Sequence, residues 1–380
     1  MEHRERTLLP LLTLSLLVSA SLGVIMRSTP FLDLPFSFDH LRHAHSHWGF
    51  LGWVFASFAL ILPTAFEIGT LQRRWYRMVW ISAQMAALVA VMFLITQGYA
   101  APAIIALAVH GLLTSTLLVA IVVKLPGTIS GRTMQLACVV AITSTFATLL
   151  TSTLPRLLPS VAAVQGIDGV QFYLSAQIEG FFLIGVIGLL LRMIEMDRGR
   201  ISPWLMVPAL LCLLGAFFVP SDIGAAALRA TSIVFVVVLV IRTMPQLLHV
   251  LSGTSTMVIM VVLAALIVRS LAALGIALLA YAGHDVSTPM LRILLYHVVF
   301  LGIVTPVIFV SVRVWFTMRI ARMTWIVYTI GVTGTLLVLL TQSIGLDLPY
   351  TAEALLAFAG VIFVATLMII PASIRHFVGH

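Results

Sequence analysis

The chain has 380 residues, of which 61% are hydrophobic and only 9% charged, with a formal net charge of +8. Soluble domains are about half apolar and about a quarter charged, so this composition excludes a water-soluble globular protein, a disulfide scaffold, a coiled coil and a disordered hub. The 21 Lys plus Arg form no basic face, which removes nucleic-acid binding as well.

Apolar runs separated by charged, Pro or Gly punctuation predict an all-α, polytopic membrane bundle of about twelve helices. The spans fall near 7–26, 46–68, 78–96, 100–123, 133–154, 170–193, 203–220, 223–243, 256–281, 289–316, 323–344 and 352–373. The start, MEHRERT before LLPLLTLSLLVSASLG, has the look of a signal peptide cleaved near Ala20. Its apolar stretch runs on to Ile25 and Met26, so it is read as the first span. Cys138 and Cys212 lie in separate apolar runs without a CxxC, and are read as buried small side chains.

Basic residues set the orientation. Fifteen Lys and Arg, from Arg4 and Arg6 to Arg375, flank one side, against Arg27, Arg42, Arg156 and Arg292 on the other. This positive-inside bias predicts both termini in the cytoplasm of a cell (inner or plasma) membrane, and explains the net charge as topology. The longest external connections, 27–45 and 155–169, leave no room for a soluble domain, so the chain is one integral membrane domain, 1–380. SAQIEGFFLIGVIGLLLR (175–192) echoes HVVFLGIVTPVIFVSVR (297–313): a residue five positions before a Gly, an apolar helix, then an Arg. The echo predicts two related six-helix halves, 1–200 and 201–380.

Eleven histidines exceed what such an apolar chain needs, and an ionisable side chain inside a membrane is a functional candidate by default. His40, His43, His45 and His47 sit in DHLRHAHSHWGFLGW, where an external loop enters the second span. His110 is about ten residues into the fourth span and His297 about nine into the tenth, which at 1.5 Å per residue puts both roughly 14 Å below the outer surface. If 40–47 is helical, His40, His43 and His47 make one stripe and His45 points elsewhere. Imidazole suits iron, copper and zinc, and histidines on opposing helices grip a haem from its two faces. The bland alternative is hydrogen bonding between helices. His249 and His284 fall in loops and His3, His376 and His380 in tails, where solvation is the expectation.

Glu179, nine residues into the sixth span, is either a ligand, a proton relay or an ion-pair partner of Arg229 or Arg269. Arg42, Arg156 and Arg292 are placed to receive outward-facing haem carboxylates or simply to snorkel.

HAHSHWGFLGWVFASFALILPTAF resembles the second-helix motif of NnrS proteins, and YHVVFLGIVTPVIFVSVR resembles their tenth-helix motif. The close match covers about forty residues of the 380, with a looser match of architecture elsewhere. The resemblance implies a twelve-span membrane protein containing haem, with copper as a second metal, linked to nitric oxide and distantly like the catalytic subunit of haem-copper oxidases. It places His43 and His45 at paired ligand positions, His297 at the tenth-helix position, and His110 where some related proteins also have histidine. It further implies His297 opposite His43, His45 or His47 as axial ligand, Arg42 and Arg292 at the cofactor, and a second metal on the remaining cluster histidines with His110. Two departures stand out. Where relatives carry histidine in a segment like LHFQ, this chain has LSAQ with Ser175, and the tandem histidines of oxygen-reducing centres are missing, which argues against complete four-electron oxygen reduction. The resulting expectation is a protein that binds or helps detoxify a small diatomic such as nitric oxide, with catalytic turnover as an oxidoreductase left open. The alternative is a transporter for a metal ion or small solute with an external histidine capture site.

Overall fold

The computed structural model describes residues 8–150, 173–198, 254–283, 289–346 and 348–378, with scattered positions between 207 and 249. It is all-helical, without a strand among the described residues. Ten long helices are described, in chain order: α1 (Leu9–Ser28), α2 (Phe38–Ala65), α3 (Arg74–Gln97), α4 (Ala101–Val122), α5 (Ile129–Thr148), α6 (Tyr173–Glu195), α7 (Thr254–Tyr281), α8 (Pro289–His297 continuing to Phe316), α9 (Arg322–Ser343) and α10 (Thr351–Val378). Among the described residues nine helices are long and apolar enough to cross a membrane; α5, with Arg132, Gln135 and several hydroxyl side chains, is a more polar helix of the same length class. The expected spans at 203–220 and 223–243 are described only in part, at residue 207 and at scattered helical positions from 231 on that include a short apolar helix, Val236–Leu247, while Arg156, Cys212, Arg229, His3, His284 and His380 lie outside the described residues.

Local chemistry explains the boundaries. Pro10 opens α1, where a missing N–H costs nothing. Thr128 caps α5 by accepting from the Gly131 N–H at 3.2 Å, and starts it four residues before the expected position at 133. The largest difference is at α2, which begins at Phe38 rather than 46. The polar stretch DHLRHAHS lowers the hydropathy of this segment, but Ser37 caps it and it folds as helix continuous with the membrane-length run. His249, expected in a loop, is an exposed helical position.

The chain packs as two units, Met1–Ile121 with Ser311–His380, and Val122–Val310, the second boundary falling within α8. In the first unit α10 packs on α1 and α9, while α2 packs on α1 and α3. Leu22, Trp48, Leu51, Val91, Leu94 and Ala103 form a core cluster that ties α1, α2, α3 and α4 together. Polar bonds lock the same helices: Trp48 Nε1 donates to the Ser15 carbonyl at 2.7 Å, Tyr76 Oη to the Ala59 carbonyl at 2.7 Å and Trp80 Nε1 to the Ala56 carbonyl at 3.1 Å. Each satisfies a buried donor that would otherwise be stranded away from water. In the second unit α5 and α6 pack along their lengths, and α8 contacts both α6 and α7. Glu195 of α6 accepts from the Ser130 N–H at 3.0 Å and from the Ser130 hydroxyl, so a buried carboxylate lies at the start of α5.

Candidate metal site

Three of these helices change register within their described length. α2, α6 and α8 each contain a π-helical stretch, Trp48–Phe55, Ala176–Leu183 and Val298–Val304. The residues immediately before these stretches are His47, Ser175 and His297, and each stands five positions before a glycine: Gly52, Gly180 and Gly302. The intervals are 128 residues (175 − 47) and 122 residues (297 − 175). The echo between 175–192 and 297–313 therefore has a third member around His47, and it recurs about every 125 residues rather than once per half-chain. These are also the most buried membrane-length helices, with 83%, 83% and 61% of their apolar windows buried, against 22–44% for the other six. Single-turn π segments interrupt the regular carbonyl ladder and are frequent at functional sites.

The histidines of α2 are distributed by the helical period. Ser37 Oγ accepts from the His40 N–H at 3.1 Å, and from this cap His40, His43 and His47 form the expected stripe. The stripe faces the end of α3. Gly98 ends that helix with φ +64°, and a Cβ built on it would lie 2.8 Å from His40 Nε2. Next in the chain, Tyr99 sets its ring edge-on to His43 and His47, with centroids at 4.8 and 5.6 Å. Its hydroxyl is hydrogen-bonded to His47 Nε2 at 2.6 Å. His45 lies on the other side of α2, where its Nδ1 is 3.1 Å from the Ser19 carbonyl and its ring packs against Gly23 of α1.

His110 lies on α4 at 1% exposure. Its ring is hydrogen-bonded to the backbone of Leu51 in the π segment of α2, and Phe55 stands edge-on to it at 6.3 Å. Its Nε2 is buried without a hydrogen-bond partner. An orphaned buried nitrogen costs about 1–3 kcal/mol, so His110 is a poor choice for a purely structural position.

In the second unit, His297 holds its Nδ1 2.7 Å from the Ile293 carbonyl, one turn back along α8. Glu179, in the π segment of α6, forms an ion pair with Arg269 of α7. Phe182 and Phe300, each three residues beyond Glu179 and His297, meet edge to face at 5.4 Å, which sets Glu179 and His297 at one level of two helices that pack side by side. Arg42 is paired with Asp39 at 3.1 Å on its own helix, and Arg292 is an exposed residue of α8.

The paired positions implied for His43 and His45 are therefore split between two faces of α2. Residues two apart on a helix are about 200° apart, and neighbouring helices then hold each ring where it falls. Among the described residues, no three His, Cys, Asp or Glu side chains are grouped so as to hold a metal ion. What His45, His110 and His297 share is a ring engaged with a backbone carbonyl or backbone group, the bond that fixes an imidazole tautomer. Sequence reasoning missed Tyr99. A lone tyrosine after a helix-ending Gly carries no pattern, and only the docking of α2 on the end of α3 reveals it. No protein-family model matches the chain, and no curated protein is significantly similar to it.

Proposed function

We propose that the chain is a haem-containing membrane protein of the NnrS type, with copper as a second metal, that binds or helps detoxify nitric oxide or a related small diatomic. It resides in the cell membrane with both termini in the cytoplasm and its histidines towards the outer side. The observation that carries this reading is the preparation of its imidazoles: His297 and His45 each hold Nδ1 at a backbone carbonyl, which leaves the lone pair on Nε2, the ligand form of histidine. His110, with a buried and unpartnered Nε2, fits the same role. The donor set is all imidazole, which suits haem iron and copper.

The proposed metal ligands are His43, His45, His47 and His110 in the first unit and His297 in the second, with Arg42 and Arg292 as residues for haem carboxylates. When bound, a haem iron supplies the site at which a small diatomic coordinates. The chain's own part is to orient imidazoles, through Ser19, Leu51 and Ile293, and to keep water away with the apolar rings of Phe55, Phe182 and Phe300. The transporter reading is weaker, because Glu179 and Arg269, two of the residues offered for its path, are engaged with each other in an ion pair.

The test is an absorption spectrum of detergent-purified protein, oxidised, reduced and reduced with nitric oxide, together with iron and copper analysis. A Soret band that shifts with nitric oxide, and is lost in His297→Ala, is the expected result. A colourless, iron-free preparation from haem-replete cells overturns the haem reading in favour of transport.

A further inference from the structure

His47 is the residue of the cluster whose Nε2 is already engaged. Its partner is a phenol, Tyr99 Oη, at 2.6 Å, while His43 packs on the other part of the same phenol ring. His110 of α4 lies against the same helix, hydrogen-bonded to the backbone of Leu51, four residues on from His47, with Phe55 edge-on to it, and its own Nε2 is orphaned. All of these residues belong to the first unit. A hydrogen bond between the phenol and Nε2 and a metal ion on Nε2 occupy the same place and exclude one another.

We propose that Tyr99 is a capping residue of a first-row transition-metal site on His47 and His110, holding the His47 imidazole in place and yielding its Nε2 when a metal ion enters. This rests on the reading of the histidine cluster as a metal site, and it adds a residue and a regulatory step to that site. Tyr99 is suited to such a step by its position. It directly follows the hinge-like Gly98, whose positive φ ends α3, and its side chain is 42% exposed, so the hydroxyl can swing away without opening the core. His110 cannot move in that way, because it is buried and held by Leu51 and Phe55. The two imidazoles thus divide the work: His110 is the fixed ligand and His47 the one whose availability Tyr99 controls. Imidazole ligands of this kind take Zn²⁺, Cu²⁺ or Cu⁺.

The experiment is a calorimetric titration of Zn²⁺ into the full-length protein, purified in detergent and stripped with chelator, for the unaltered chain and for Tyr99→Phe, His47→Ala and His110→Ala. Tyr99→Phe keeps the ring against His43 and removes only the competing hydroxyl. Because a hydrogen bond of this type contributes a modest net free energy, it is expected to tighten Zn²⁺ binding about three- to tenfold. His47→Ala and His110→Ala are each expected to abolish that binding. An unchanged affinity in Tyr99→Phe overturns the capping role, and a weakened one overturns it in favour of Tyr99 as a ligand. Survival of binding in both His47→Ala and His110→Ala overturns the site itself. The Soret band of the same preparations, read before stripping, reports separately on haem. A colourless protein whose Zn²⁺ affinity still rises in Tyr99→Phe retires the haem reading alone, and a coloured one that does not respond retires the capping role alone.

Discussion

Glu179 and Arg269 form an ion pair inside the second unit, joining the π segment of α6 to the middle of α7. Their side chains are only 16% and 11% exposed, so each charge depends on the other for its compensation. Removing one partner of such a pair strands the remaining charge, which typically costs about 3–5 kcal/mol, whereas replacing both by apolar residues of similar volume is close to neutral. Glu179→Gln and Arg269→Met are each expected to lower thermal stability sharply, and Glu179→Leu with Arg269→Met to recover most of the loss. The measurement is a thermal melt of each variant in the same detergent. A double variant no more stable than the singles points to a requirement for the charges themselves.

Much of this arrangement was legible in the sequence, and the part that was not has a definite physical cause. Hydropathy runs locate helices well: the expected 78–96, 100–123 and 323–344 became Arg74–Gln97, Ala101–Val122 and Arg322–Ser343. Hydropathy fails where a helix is polar at its start, as at Phe38–His47, since capping by Ser37 rather than apolarity sets that end. Helical spacing correctly separated His45 from the stripe of His40, His43 and His47. Glu179 was offered two arginine partners, and Arg269 proves to be one. The π segments were invisible, because WGFLGWVF reads equally well in a register of four or five residues, and so was Tyr99, whose role depends on tertiary docking alone.

Gly98 gives the second prediction. Its φ of +64° disfavours any side chain, and its Cβ position lies 2.8 Å from His40 Nε2. Gly98→Ala must therefore strain the end of α3 and push the His40 ring, with a cost of about 1–3 kcal/mol. Because Tyr99 is the next residue, the variant is also expected to disturb the His47–Tyr99 bond. Gly127→Ala, where an added Cβ meets nothing within 4 Å, is the matched control. Melting temperature and metal affinity measured side by side check this. A Gly98→Ala protein that behaves as the control does would show that the turn is not under the constraint described.

His110 supports a third. Its Nε2 lacks a hydrogen bond inside a buried environment, so in chelator-stripped protein His110→Leu, which removes the orphaned nitrogen and keeps apolar bulk, is expected to be neutral or stabilising by about 1 kcal/mol. The same substitution is expected to reduce metal content. Opposite signs for stability and metal binding distinguish a ligand from a structural histidine. A variant that loses stability without any change in iron or copper content assigns His110 to packing.

The last prediction concerns the first unit's outer pair of helices. Gly331 and Gly334 of α9 face α10: a Cβ on Gly331 would lie 2.7 Å from Ile362 Cγ1, and one on Gly334 would run into the Phe358 ring. Small residues three apart let two membrane helices approach closely enough for their backbones and rings to interlock. Phe358 is packed so tightly over Gly334 that an added methyl must displace the whole ring, since an aromatic side chain cannot bend away at one atom. Gly334→Ala is expected to destabilise the protein by about 1–3 kcal/mol and to loosen α10 from α9. Gly360→Ala, on α10 with nothing within 4 Å of its Cβ, is expected to leave stability unchanged and, on helix propensity, to raise it slightly. Adding Phe358→Ala to Gly334→Ala should relieve the clash but leave the cavity cost of the lost ring, so the two changes are expected to be less than additive. Melting temperatures of the unaltered chain, Gly334→Ala, Phe358→Ala, the double variant and Gly360→Ala, with detergent-phase crosslinking between α9 and α10 as a second readout, decide it. Strict additivity would mean that Gly334 and Phe358 do not share the contact that joins these helices.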